Sequence, residues 1–229
     1  MATHTQIIEF FGLPACGKST LCDGLISEQG DDKLIFCRMN AISADYRKTN
    51  LLRRIILFPY KSSFYLILLI LKSGFKKDNL RIYKSFFSIL IIYAFTKHVK
   101  KYSYMLIDHG VIQSVISLFY GARSGVFDSS FNIANCLVKA ADVDILVYCD
   151  LPVQESISRI RKRNRLDSGR LDAIRDEEKL KMELITQHKQ FEMFGRLSAD
   201  RSINSSQAIN ELKQNVYKIL EEKIDEYEV

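Results

Sequence analysis

Short, almost uninterrupted apolar runs alternate along this chain with longer segments whose apolar residues recur every three or four positions. The first run, Ile7-Ile8-Glu9-Phe10-Phe11, predicts a strand over 6–11 that is buried on both faces. Similar runs predict strands over 33–38, 104–107 and 144–149, with a weaker fifth over 200–204. Between them the helical period predicts helices over 18–28, 51–72, 79–100, 111–120, 131–141 and 173–194, and one from Val153. Leu21, Leu25 and Ile26 share one face of the first. Pro59 should break or kink the second, and Ser73-Gly74 should end it. A terminal helix, capped by Ser205-Ser206, carries the stripe Ala208, Leu212, Val216, Ile219 and Leu220. Segments 41–50 and 121–130 read as irregular. Strands alternating with helices predict an α/β fold with a parallel sheet covered on both faces.

Composition narrows this picture. With 229 residues, 47% hydrophobic and 26% charged, the chain is a globular protein of single-domain size. Its charge is uneven. Residues 38–103 hold fourteen Lys or Arg against two acids, Asp45 and Asp78, a net +12 within a total of +6. Such a block implies an anionic partner or a set of solvated helix faces. Its longest apolar runs, 64–71 and 86–95, fall short of the ~18–20 residues that cross a bilayer. Core, dimer interface and lipid-facing surface all remain open for these helices, so a homodimer and a peripheral membrane contact are both compatible with them. No nucleic-acid partner is expected. Residues 1–6 are short and polar, which predicts no leader. Five cysteines without metal spacing suit a reduced, cytoplasmic protein, with contact at the inner membrane face left open.

Candidate chemistry begins directly after the first run, at Gly12-Leu-Pro14-Ala15-Cys16-Gly17-Lys18-Ser19-Thr20. The spacing G-x-x-x-x-G-K-[ST] supplies glycines for a tight turn, a lysine for β- and γ-phosphates, and a hydroxyl for Mg²⁺. A helix N-terminus adds positive charge. Cys16 reads as an oxidation-sensitive thiol or a loop filler. Asp108, at the carboxyl end of the third strand, stands where a carboxylate can hold Mg²⁺ or take a proton from an acceptor hydroxyl. His109 and Gln113 follow as candidate acceptor contacts, and Gly110 lets the backbone turn between them. Arg159 and Arg163 share a helix face, with Arg165 and Arg170 in the loop beyond. Their planar forks suit a phosphoryl group in transfer, and a closing loop would exclude water. Arg38, at the end of the second strand, is a further candidate for acceptor binding.

This order of motifs resembles the nucleoside monophosphate kinase-like group of P-loop kinases, nearest the thymidylate kinase-like branch. The likeness covers roughly 6–28 and 104–220. It implies a three-layer fold with five parallel strands ordered 2-3-1-4-5. It also implies one kinase domain over 1–229, an acceptor-side helical insert at 39–103 and an arginine-rich lid at 159–172. By the same resemblance ATP phosphates lie in Gly12–Thr20, Lys18 bridges the β- and γ-phosphates, and Ser19 and Asp108 serve Mg²⁺. Arg159 would stack on adenine, Arg163 and Arg165 would act on the phosphates, Arg170 would close with the lid onto the acceptor, and Asn204 would pass the adenine. Two departures stand out: thymidylate kinases carry Asp-Arg where this chain has Asp108-His109, and Arg38-Met-Asn40 replaces their acceptor grip. The expected activity is ATP- and Mg²⁺-dependent phosphoryl transfer to a small, anionic or neutral acceptor, first a nucleotide or nucleoside. A sugar, an antibiotic or a lipid-linked hydroxyl is the alternative acceptor. A nucleotide-dependent switch or scaffold at a membrane surface is the other class of function.

Overall fold

The structure, a computed structural model, describes residues 4–28, 35–74, 80–120, 125–163, 171 and 174–227. In chain order the first elements are β1 (Gln6–Gly12), α1 (Lys18–Ser27), β2 (Phe36–Arg38), α2 (Met39–Arg47) and α3 (Leu51–Ile56). Next come α4 (Tyr60–Ser73), α5 (Leu80–Thr96), β3 (Tyr104–Ile107), α6 (Val111–Leu118) and α7 (Val126–Ala140). The series ends with β4 (Ile145–Asp150), α8 (Val153–Lys162), α9 (Glu177–Leu197), β5 (Arg201–Asn204) and α10 (Ile209–Tyr227). The five strands form one parallel sheet in the order β2-β3-β1-β4-β5, as the resemblance implies. Complete burial of Ile7, Ile8, Phe10 and Phe11 explains why β1 is apolar from Ile7 to Phe11 except at Glu9.

The chain divides into two compact units. The first comprises Met1–Phe10 and Gln29–Leu146. Here β3 pairs in register with β1 and β2, so that Arg38 lies opposite Leu106 and Glu9 opposite Ile107. Its core is aromatic and aliphatic, with Phe86, Tyr93, Leu66, Leu69 and Ile112 at or near zero exposure. Asp144 fixes the start of β1, accepting from the Ile7 N–H at 2.7 Å while paired with Lys97 at 2.7 Å. The second unit comprises Phe11–Glu28 and Val147–Val229. Its β4 and β5 pair from Val147–Arg201 to Asp150–Asn204. Phe11 packs between the rings of Tyr148 and Phe191, and Lys213 of α10 is salt-bridged to Glu28.

Several boundaries differ from the sequence reading, each for a local reason. Segment 41–50 is not irregular: α2 covers most of it. The helix seats Ile42 at 0% exposure and stacks Tyr46 edge-on to Phe95 at 5.4 Å, an i,i+4 pair too sparse to read as a period. The helix expected from 131 begins at Val126. Gly125, left-handed at φ 86°, precedes it, and Phe127 packs against Phe119 at 5.2 Å. The helix expected from 173 begins at Glu177, because the Asp176 carboxylate accepts from the Lys179 N–H at 3.1 Å. The expected kink at Pro59 is a full break between α3 and α4, and Gly74 ends α4 at φ 79°.

Candidate active site

Backbone geometry builds the phosphate loop. Gly12 leaves β1 at φ 147°, and a Cβ there would stand 2.3 Å from the Cys149 carbonyl oxygen. Only glycine allows β4 to approach so closely. Ala15 and Gly17 are left-handed, at φ 65° and 92°. Alternation of this kind on either side of Cys16 is the pattern from which anion-binding nests are made, and a non-glycine residue held there marks stored strain. Gly17 is also the N-cap of α1, where the helix dipole is positive. Lys18 bends back over the loop and donates to the Gly12 and Leu13 carbonyls at 3.0 Å each and to Cys16 Sγ at 3.2 Å. Ser19 and Thr20 are exposed on the first turn. Nest, ammonium and exposed hydroxyl together fit a triphosphate and its Mg²⁺.

Elements after β4 brace this loop. Ser156 Oγ of α8 donates to the Pro14 carbonyl at 2.7 Å. Arg159 donates to the Ala15 carbonyl at 3.4 Å, to Glu155 at 2.6 Å and to the Ser205 carbonyl at 2.9 Å. Its guanidinium therefore ties the phosphate loop to the turn after β5, where Asn204 Oδ1 accepts from the Ser206 N–H at 3.0 Å. Loop, Arg159 and Asn204 are thus brought together as one cluster. Ser205 and Ser206 do not cap α10, which begins four residues after Ser205. The Ser205 N–H is taken by the Asp150 carbonyl, and Ser206 Oγ donates to Glu155. Arg163 is the exposed C-cap of α8. Arg165, Arg170 and most of the expected lid lie outside the described residues. Arg161, which the sequence reading passed over, donates to the Ile174 and Arg175 carbonyls and holds the returning chain.

A thiol pair beneath the loop also escaped the sequence reading. Cys16 and Cys149 are both buried, at 1% exposure. The Cys149 thiol donates to Cys16, and Lys18 lends its charge. Together these outweigh burial and bring the Cys16 thiol down to about 6. Cys149, as the donor, is pushed far above its ordinary range.

In the other unit, Arg38 and Asp108 meet at the ends of neighbouring strands, 3.4 Å apart and both partly exposed. His109 is exposed beside them. Gln113 Oε1 is buried without a hydrogen-bond partner among the described residues. What positions this turn is Glu9, the one charged residue inside β1. Its carboxyl accepts from the Val111 N–H at 3.0 Å, the Ile112 N–H at 2.8 Å and the Tyr93 hydroxyl at 2.9 Å. The two N–H donors are free amides at the start of α6, so Glu9 caps that helix from within the sheet. Burial raises its carboxyl to about 7 against the pull of those bonds. Gly110 is required by space: a Cβ would lie 2.3 Å from the Glu9 carboxyl carbon and 2.4 Å from the Tyr93 hydroxyl. An acid in the middle of an apolar run was the signal for this contact.

No family model matches the chain, and no curated protein matches it. Among solved structures it is similar to deoxyadenosine kinase from M. mycoides with bound dATP. That pair has a TM-score of 0.51 and 16% identity, covering 94% of this chain and 99% of the other. Shikimate kinase from Acinetobacter baumannii in complex with shikimate is similar as well, with a TM-score of 0.51 and 16% identity over 96% of this chain and 94% of that one. At this identity the likeness is one of fold, and both of these neighbours are named as kinases.

Proposed function

We propose that this chain is an ATP- and Mg²⁺-dependent kinase that transfers the γ-phosphoryl group to a small hydroxyl acceptor. The observation that carries the reading is the loop at the start of α1. Its two left-handed residues and the Lys18 ammonium form a cradle for a polyphosphate. Phosphoryl transfer needs positioning and charge neutralisation more than covalent chemistry, and Lys18, Arg163 and Arg165 are the cations assigned to it. Arg159 is assigned a bracing role at the adenine end with Asn204, since its donors are already spread over the loop and the turn after β5. Mg²⁺, held by Ser19, would offset charge between the β- and γ-phosphates.

Asp108 orients the acceptor hydroxyl or takes its proton, and Arg38, His109, Gln113 and Arg170 bind the rest of the acceptor. A nucleotide or nucleoside is the first acceptor. The two architectural neighbours are named for a nucleoside and for shikimate, and small polyhydroxyl compounds span that range. Motif order supports a place near the thymidylate kinase-like branch.

The test is ATP turnover by the purified protein against a panel of nucleosides, nucleotides, sugars and hydroxy acids. Turnover that depends on one panel member is the expected result. Acceptor-independent hydrolysis across the whole panel would remove the kinase reading. For an anionic acceptor, Arg38→Ala should raise KM by roughly 10–100-fold with a smaller change in kcat, the effect of losing a charge-assisted hydrogen bond. An unchanged KM would take Arg38 out of the acceptor site.

A further inference from the structure

We propose that the solvent-facing side of α4 is a docking surface for an anionic lipid bilayer, on which the protein lies without spanning it. The helix is apolar almost throughout, and its buried side is formed by Ser62, Ser63, Leu66, Leu69 and Ile70. At about 100° per residue, Tyr60, Phe64, Ile67 and Leu71 fall within an arc of roughly 60° on the other side. Their exposures are 63%, 58%, 48% and 68%. The stripe is therefore a second apolar face, in water, about 16 Å long at 1.5 Å per residue. It continues past the break at Pro59: the Tyr60 hydroxyl donates to the Ile55 carbonyl at 3.2 Å, and the Phe58 ring lies 5.0 Å from that of Tyr60. Ile55 and Ile56 are 51% and 68% exposed. An apolar surface of this extent marks a place where something binds.

Charge identifies the occupant. Lys61 and Lys72 flank the stripe on one side, both exposed, and Arg53 lies exposed on α3. From residue 46 to residue 77 the chain carries eight Lys or Arg and no acid. A second copy of this chain, docked face to face, would set these cations against their own kind with no carboxylate on the segment to answer them. Nucleic acid could stack on Tyr60 and Phe64, but it would leave aliphatic Ile55, Ile56, Ile67 and Leu71, the larger part of the surface, without a partner. An anionic bilayer satisfies both parts. Its acyl boundary takes the stripe, and its headgroups take the lysines and arginines. No described helix is long and apolar enough to cross a membrane, which leaves α4 lying in the interface.

The proposal is tested with the full chain and two sets of vesicles, one of phosphatidylcholine with phosphatidylglycerol and one of phosphatidylcholine alone. Cosedimentation with the mixed vesicles, weakened by salt and at least about tenfold weaker with the neutral ones, is expected. Phe64→Glu with Leu71→Glu should lower binding by at least about tenfold per residue replaced while the melting temperature holds, because both side chains are already exposed. Lys61→Ser with Lys72→Ser should weaken only the binding to mixed vesicles. Failure of the native chain to bind mixed vesicles, or equal binding by the Phe64→Glu, Leu71→Glu protein, would overturn the proposal. So would a dimer in analytical ultracentrifugation that Phe64→Glu dissociates, since the stripe would then belong to a second copy.

Discussion

Replacing Lys18 by alanine is expected to lower phosphoryl transfer by roughly 10²–10³-fold while the protein stays folded. The ammonium is only partly buried, and its three partners are two carbonyls and a thiol of its own loop, so its loss leaves no distant contact unmade. What disappears is the charge offered to the polyphosphate, so a thermal shift with a magnesium–ATP analogue should vanish along with turnover. Arginine should not restore activity, because its planar fork cannot replace a compact ammonium folded back onto the Gly12 and Leu13 carbonyls. One further readout needs no substrate. Lys18 helps to hold the Cys16 thiol down at about 6, so in Lys18→Ala the thiolate absorbance should titrate at higher pH. Turnover equal to that of the native chain would end the assignment of the loop.

The second large effect concerns Glu9. Its carboxyl sits at about 7 in the folded protein against an ordinary 4.5, because burial disfavours the charge. On raising the pH, the unfolded chain ionises first. Between about pH 4.5 and about 7 the folded state therefore holds an extra proton, so stability falls as pH rises through that window and levels off above it. The shift corresponds to about 3 kcal/mol in all. Glu9→Gln removes this titration. It also leaves one acceptor oxygen for three donors and turns an amide NH₂ toward main-chain N–H groups, a cost of roughly 1–3 kcal/mol. The variant should be less stable than the native chain near pH 5, and the gap should narrow or close near pH 8. Melting temperatures across that range decide it, and parallel pH profiles for the two proteins would refute the account.

Much of the architecture was legible because its signals are local. A strand buried on both faces, such as Tyr104–Ile107, announces itself as an unbroken apolar run. The phosphate loop is a contiguous motif, and its flanking strand and helix stand in the expected places. What could not be read depends on distant partners. Glu9 looked like an interruption of β1 until α6 brought its amides to it, 102 and 103 residues along the chain. Gly110 looked like a turn former, yet the space it leaves is filled by Glu9 and Tyr93. Similarly, the pairing of Cys16 with Cys149 needed β4 beside the loop. On α4 an all-round apolar composition left core, dimer interface and lipid-facing surface open, and only the fold shows which of its residues face water.

Neither compact unit is a continuous stretch of polypeptide. The division falls at 10/11, 28/29 and 146/147, cutting through both β1 and β4. A gene fragment ending at 10/11 or 146/147 would encode an incomplete strand, and one ending at 28/29 would part β1 from its partner β3. Half-length expression, or nicking followed by separation of the pieces, would yield chains lacking part of their own sheet. The chain must therefore be handled, inherited and shuffled as a whole.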